Sequence, residues 1–221
     1  MLCYHHIRNY TGRESASSKV YTVPPAAFRE QIKTLADSGY HTITPEQHYR
    51  YLLYGEALPE KPVLISFDDT DGEQFLEGAA VLDQYQFKGV FFIMTIAIGK
   101  PNYMSKEQIK VLSDKGHIIG AHTWDHHNVK QYVKEDYEKQ LAAPKLKLEQ
   151  IIGKPVEYFA YPFGLWDEIA AEQVSKNGYK MAYQLSAKKQ DSVRPQYSVR
   201  RIIVPGNWNG PTLLKWMKSG F

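Results

Sequence analysis

The stretch LISFDDTDGEQ, Leu64–Gln74, decides how the chain is read. An apolar run stops at two adjacent carboxylates, Asp68 and Asp69, and turn-forming residues follow. Neighbouring residues of an extended strand point to opposite faces, so two like charges at the end of a buried strand need an explanation. One explanation is local: Asp69 or Thr70 caps the helix that follows. The other is that the strand opens onto a mouth where polar groups from several strands collect, as happens at the C-terminal ends of parallel strands.

Working outward, LCYHHI near the start has a strand pattern. PPAAFREQIKTLADSG places Phe28, Ile32 and Leu35 on one helical face and stops at Gly39. TPEQHYRYLLYG has Thr44 as N-cap and Pro45 at the first helical position. Beyond the Asp pair, GEQFLEGAAVLDQY, SKEQIKVLSDKG, residues 133–152, WDEIAAEQVSKNG and TLLKWM read as helices. The runs KPVLISF, KGVFFIM, HIIGAH, EYFAYP, KMAYQL and YSVRRIIV read as strands. This alternation implies parallel strands joined by right-handed crossovers. Strands apolar at nearly every position are buried on both faces. About seven or eight such units in 221 residues predict a small or distorted β/α barrel, with an open doubly wound sheet as the alternative. His5, His6, Asp68, Asp69, His122 and the Tyr161-Pro162 pair all fall at C-terminal strand ends.

Composition narrows the partners. With 43% hydrophobic residues the chain supports one core, and a single domain over 1–221 is expected. A net charge of +3 from scattered basic residues excludes a nucleic-acid-binding surface. Cys3 is the single cysteine, so no internal disulfide forms. No apolar run reaches the roughly 18 residues of a membrane span, and Met1 leads directly into a strand pattern, with no secretory leader visible.

AHTWDHHNV carries His122, His126 and His127. Two histidines four apart converge on one metal when the loop turns helically. With one carboxylate they make a three-ligand site that keeps positions open for water and a substrate oxygen. One Asp would then bind the metal while its neighbour stays free to take a proton from water. FAYPFG either offers a backbone N–H to an oxyanion or is a simple Pro-Gly turn. Phe163, Trp124, Trp166 and Trp208 flank these motifs and suit sugar stacking as well as core packing, with loop-borne Trp208 the better candidate for a sugar. His41, His48 and His117 read as structural.

In this order and spacing, FDDT, HTWDHH and FAYPFG resemble the metal-dependent polysaccharide deacetylases of carbohydrate esterase family four, over nearly the whole chain. The resemblance implies a distorted seven-stranded β/α barrel that removes acetyl groups from N-acetylglucosamine polymers (poly-N-acetylglucosamine, chitin-type or peptidoglycan glycan) or, in some members, from acetylated xylan. It implies Asp68 as general base and Asp69, His122 and His126 as ligands of zinc, with cobalt or nickel also accepted. It gives Tyr161 the backbone N–H for the oxyanion, and Pro162, Phe163, Trp124 and Trp208 the substrate contacts. Three departures matter. Thr70 replaces a glycine. His127 replaces a proline, so His126 and His127 compete as ligand. Ala160 replaces an arginine, which makes Arg201 the candidate to tune the base; Arg200 would face the other way. A C-terminal Leu-x-His motif is missing. In a branch resembling the biofilm poly-N-acetylglucosamine deacetylases, an N-terminal Tyr-His strand takes its place: here Tyr4 and His5, with His5 as general acid and His6 pointing away. The substrate class implies a secreted or cell-surface protein. An acetylxylan O-deacetylase is the rival within the class. A non-catalytic carbohydrate-binding barrel is the rival outside it, and the intact Asp and His pairs argue against that.

Overall fold

The computed structural model describes residues 1–185 and 188–219. The main sheet contains β1 (Leu2–Tyr4), β4 (Ile65–Phe67), β5 (Gly89–Ile93), β6 (Ile118–Ala121), β7 (Tyr158–Ala160), β8 (Met181–Gln184), β9 (Val199–Arg200) and β10 (Ile202–Ile203). Its order is β10-β1-β4-β5-β6-β7-β8-β9, with every neighbouring pair parallel. β9 pairs with β8 and β10 pairs with β1, and only Arg201 separates them in sequence. The expected strand YSVRRIIV is therefore one run broken at Arg201, and that run nearly closes the sheet into a barrel. Counted as one stave it is the seventh, so the barrel expectation holds and the open-sheet alternative does not. β2 (His41–Thr42) and β3 (Pro62–Val63) form a small separate sheet, which detaches Pro62–Val63 from the expected strand KPVLISF.

Alternate residues of one strand serve two cores. Val90 and Phe92 of β5 join Tyr158, Ala160, Met181, Tyr183 and Val199 in one buried cluster. Phe91 and Ile93 join Phe67, Phe159 and the helix residues Phe28, Ile32 and Leu82 in the other. Both faces are dry, which is why these strands read as unbroken apolar runs. Burying a ring such as Phe92 contributes about 1.5–3 kcal/mol. It also forces a glycine beside it, since a Cβ on Gly120 would lie 2.5 Å from that ring.

The connecting helices follow their local signals. α2 (Pro25–Asp37) buries Phe28, Ile32 and Leu35, and α3 (Pro45–Tyr54) begins in a capping box between Thr44 and Gln47. α4 (Ala80–Gln84) continues a π-helical turn, Gln74–Ala79, whose N-cap is Glu73 without a side-chain cap bond. Neither Asp69 nor Thr70 caps it, so the local explanation of the Asp pair fails. α5 (Lys106–Asp114) starts in a second capping box, Ser105 with Gln108. The helix expected over 133–152 starts only at Glu138, as a π turn leading into α6 (Ala143–Ile152). Before it, Val133 and Asp136 close a turn on each other instead. α7 (Glu168–Lys176) and α8 (Gly210–Lys218) complete the layer. A short helix, α1 (Ala16–Val20), capped by Ser15, was not foreseen.

Candidate active site

The backbone resolves the question raised by the Asp pair. Asp68 prolongs β4, its N–H donating to the Tyr4 carbonyl at 3.1 Å. Asp69 and Thr70 then adopt φ values of 79° and 76°, the left-handed region that non-glycine residues rarely enter. The chain leaves strand geometry between the two carboxylates, so both reach the mouth. Such residues cost about 1–3 kcal/mol each unless the surroundings hold them. Here the Thr70 hydroxyl accepts the Met94 N–H at 2.7 Å, and the Thr70 carbonyl accepts the Met104 N–H at 3.0 Å. Those two bonds explain how threonine serves at a left-handed position.

Asp69 Oδ1 lies 3.4 Å from His122 Nε2 and 3.3 Å from His126 Nε2. Ligands bound tetrahedrally at about 2.0–2.1 Å sit about 3.3–3.4 Å apart. Asp69 Oδ1 is buried and has no hydrogen-bond partner, as expected of an atom aimed at a cation. His122 directs Nδ1 at the Ala160 carbonyl, 2.8 Å away, so the ring donates there and its Nε2 lone pair faces Asp69. His126 sits in a left-handed turn (φ 66°), and its N–H donates to Thr123 Oγ1 at 2.9 Å. Burial and the charge of His122 push His126 down to about 4, which frees its lone pair at neutral pH. Burial alone would raise the Asp69 carboxyl, but the neighbouring imidazoles, His122 foremost, hold it well below the carboxylate range. The set of two imidazoles and one carboxylate fits a divalent transition metal. His127 is 64% exposed and lies 3.9 Å from Asp125, so of the two competing histidines it is His126 that the fold brings to Asp69 and His122.

Asp68 faces Arg201 in a bidentate pair, at 2.6 Å and 2.7 Å, with both side chains buried. Arg201 also donates to Ser66 Oγ at 3.2 Å and to the Gln184 carbonyl at 3.3 Å. Burial would raise the Asp68 carboxyl; the guanidinium outweighs it and holds the group ionised. Gln74, which sequence reasoning missed, is fully buried and its amide donates to the carbonyls of His5 and Asp68, tying the ends of β1 and β4 together. A buried glutamine in a helical pattern looks like any surface glutamine in sequence.

Asp68, Asp69, His122 and His126 border a cleft of about 450 Å³, with His5 on its wall and Tyr21, Phe163 and Leu185 also lining it. His5 is buried, edge-on to Tyr21 at 4.8 Å, with Nδ1 4.0 Å from Cys3 Sγ. Burial lowers its pKa against the opposing pull of Asp68 and Asp69. Phe163 is 57% exposed, held at φ 59° with its ring 4.4 Å from that of His126. Gly164 beside it is obligatory, because a Cβ there would fall 2.2 Å from the Leu185 nitrogen.

Several expected placements need correction. The Tyr161 N–H donates to the Tyr183 carbonyl at 3.0 Å, within the sheet, and so is not available to an oxyanion. Its ring belongs to the core, stacked on buried Trp166. Pro162 is buried and does not line the cleft. Trp124 is covered by Lys139, whose ammonium sits 3.8 Å above the indole, and Trp208 stacks on Trp216 at 5.4 Å; neither reaches the cleft. His6 does not point away: it lines the cleft beside Asp71 and Glu73. Tyr21 was not foreseen at all, because the polar GRESASSKV before it carries no apolar period.

The family model described as polysaccharide deacetylase matches residues 55–182, more than half of the chain. The poly-beta-1,6-N-acetyl-D-glucosamine N-deacetylase of Staphylococcus aureus (strain MRSA252) is 25% identical over 237 aligned residues, covering 97% of this chain and 81% of that one. The solved structure of IcaB from Ammonifex degensii superimposes with a TM-score of 0.77 at 26% identity, covering 97% of this chain and 94% of that one. The Streptococcus pyogenes deacetylase PplD, solved with acetate, shares the fold at a TM-score of 0.86 and 22% identity, covering 97% and 95%. A nearly closed parallel barrel, a paired-Asp strand end and a His-x-x-x-His loop thus stand in the frame of these relatives, and the chain belongs to the polysaccharide deacetylase family of hydrolases.

Proposed function

We propose that the protein is a divalent-metal-dependent N-deacetylase of an N-acetylglucosamine polysaccharide, poly-N-acetylglucosamine being the first candidate. The observation that carries this reading is the convergence of Asp69, His122 and His126 beside an ionised, arginine-held Asp68 in one cleft. A bound ion, zinc or alternatively cobalt or nickel, would be held by those three side chains and supply a Lewis acid for the acetyl carbonyl and a lowered pKa for water. Asp68 takes the proton from the attacking water, and Arg201 fixes its orientation. His5, on the wall of the same cleft, delivers a proton to the departing amine. For the oxyanion the loop must use a different donor from Tyr161. Pro162 has no N–H, so the next is that of Phe163, whose left-handed backbone beside the exposed ring turns the loop at the edge of the cleft. The exposed Phe163 ring offers a stacking face for a sugar.

No helix of the described residues is long and apolar enough to cross a membrane. A polymer substrate places the enzyme's work at or beyond the cell surface. The S. aureus relative named for poly-β-1,6-N-acetylglucosamine supports the choice of substrate. Acetate release should be measured on β-1,6-linked N-acetylglucosamine oligomers, chitin oligomers and acetylxylan. The first should be the preferred substrate; preference for acetylxylan would replace the reading by O-deacetylation. Asp68→Asn should keep its metal and lose two to four orders of magnitude in rate, the usual worth of acid–base catalysis. Asp69→Ala should lose the catalytic ion.

A further inference from the structure

His6, Asp71 and Glu73 form a second cluster on the flank of the cleft. His6 follows β1, and the two carboxylates lie in the turn after the Asp pair. His6 Nδ1 is 2.9 Å from Asp71 Oδ2 and 3.6 Å from Glu73 Oε1, and the three atoms all lie within 4.8 Å of one another. We propose that these three side chains bind a second divalent metal ion, through one imidazole nitrogen and two carboxylate oxygens.

The geometry is that of ligands around a centre. With bonds of about 2.1 Å, a 2.9 Å separation subtends about 90°, the octahedral angle, and 3.6 Å about 120°, somewhat wider than the tetrahedral one. All three atoms are buried and none has an aligned hydrogen bond, the 2.9 Å contact included. Asp69 Oδ1, at the centre of the catalytic ligands, shares that condition. Asp71 is the sharpest case, since its side chain is only 8% exposed and its Oδ2 is aimed at the other two. A buried carboxylate that faces an imidazole without an aligned hydrogen bond is poorly compensated, and a cation among the three removes that cost.

Other polar clusters nearby are already satisfied. Cys3, His5 and Asp68 also lie close together, but both Asp68 oxygens are held by Arg201. Around His6 the competitor is Arg8, 3.7 Å from Glu73 and half exposed. The donor set carries more carboxylate than the catalytic one, so it suits Mn2+ as well as Zn2+. The site would join the segments after β1 and β4, and through the isolated bridges His6–Thr22 and Asp71–Tyr103 it would brace two further loops.

The test is stoichiometry in chelator-stripped protein titrated with ZnCl2 and, separately, MnCl2, with circular dichroism confirming each variant's fold. Wild type should bind two equivalents of Zn2+. Asp69→Ala should retain one, and that ion should raise its melting temperature. Asp71→Asn/Glu73→Gln should retain the other, and the triple variant none. A single equivalent in wild type that Asp71→Asn/Glu73→Gln retains, or none in folded Asp69→Ala, overturns the proposal in favour of a protonated His6 ion-pair cluster. So does an undiminished stoichiometry in Asp71→Asn/Glu73→Gln. If that double variant does not fold, the Asp69→Ala measurement alone decides. Failure of the catalytic site would instead remove only the equivalent that Asp69→Ala abolishes.

Discussion

Replacing Arg201 by methionine isolates the most heavily committed ion pair in the molecule. The unbranched apolar stem of the side chain is kept while the charged head is lost, leaving Asp68 buried without its partner. Breaking a buried pair from one side costs about 3–5 kcal/mol. The bidentate contacts of 2.6 Å and 2.7 Å and the complete burial of both side chains place this pair in that class. For a chain of this size each kcal/mol moves the melting temperature by about 2–4 °C, so a fall of roughly 6–20 °C is expected. The pH dependence provides the sharper check. In wild type Asp68 is held below its ordinary pKa, so its contribution is present at neutral pH and lost as pH falls through the native value. Without Arg201, burial raises the same carboxyl, and stability is instead lost as pH rises above the unfolded value of about 3.9. The gap between wild type and Arg201→Met should therefore be wide at pH 8 and narrow toward pH 4. Thermal melts of metal-free protein across that range measure it. In Arg201→Met/Asp68→Asn the lone charge is gone, and the loss should be well below the sum of the two single variants. An Arg201→Met protein within about 1 kcal/mol of wild type at neutral pH, or with a gap independent of pH, would refute the reasoning.

His5→Ala should damage hydrolysis of an N-acetyl substrate far more than that of an activated acetate ester, whose leaving group departs without a proton; equal losses on both would remove His5 from the acid role. His117 is buried, accepts the Gly89 N–H at Nδ1 at 3.0 Å, and is pushed down to about 4 by burial. It stays neutral in the fold while the unfolded chain takes up a proton, so wild type should lose up to about 3 kcal/mol between pH 6.5 and 4, and His117→Asn, which keeps an acceptor near Nδ1, should not; parallel denaturation curves for the two proteins would contradict this.

The parts of the site that were legible in sequence are those built by local chain geometry. FDDT and HTWDHH each gather their candidates within a few residues, so spacing brings forward the Asp pair and the three histidines; singling out Asp69 took the family resemblance, and only the fold separates His126 from His127. Arg201 was found by a different route, from the arginine missing at Ala160, and its reach across the barrel to Asp68 could not be read from spacing. Its effect on the strand was also invisible: VRRII has the residues of one continuous strand, and only the need to serve two different neighbours breaks it. Trp208 misled because GNWNG looks like an exposed loop, whereas its partner Trp216 lies on the next helix. Tyr161 misled for a backbone reason. Whether an N–H is spent in a ladder depends on the neighbouring strand, here β8, and no residue of FAYPFG records that. His6 was discounted by strict alternation from His5, but β1 ends at Tyr4 and alternation ends with it.

The break at Arg201 has a consequence for how the protein comes into being. Asp68 and its arginine are 133 residues apart, and the arginine arrives on the run that joins β8 to β1. A ribosome has made the Asp pair and both histidines of the proposed ligand set long before it makes the residue that keeps Asp68 charged. Until that final stave docks, the carboxylate sits beside an open seam, with neither its orientation nor its ionisation secured. On the proposed mechanism, chemical competence is conferred by the same event that completes the barrel, and a nascent or partly frayed chain carries the proposed ligands without the partner that orients Asp68.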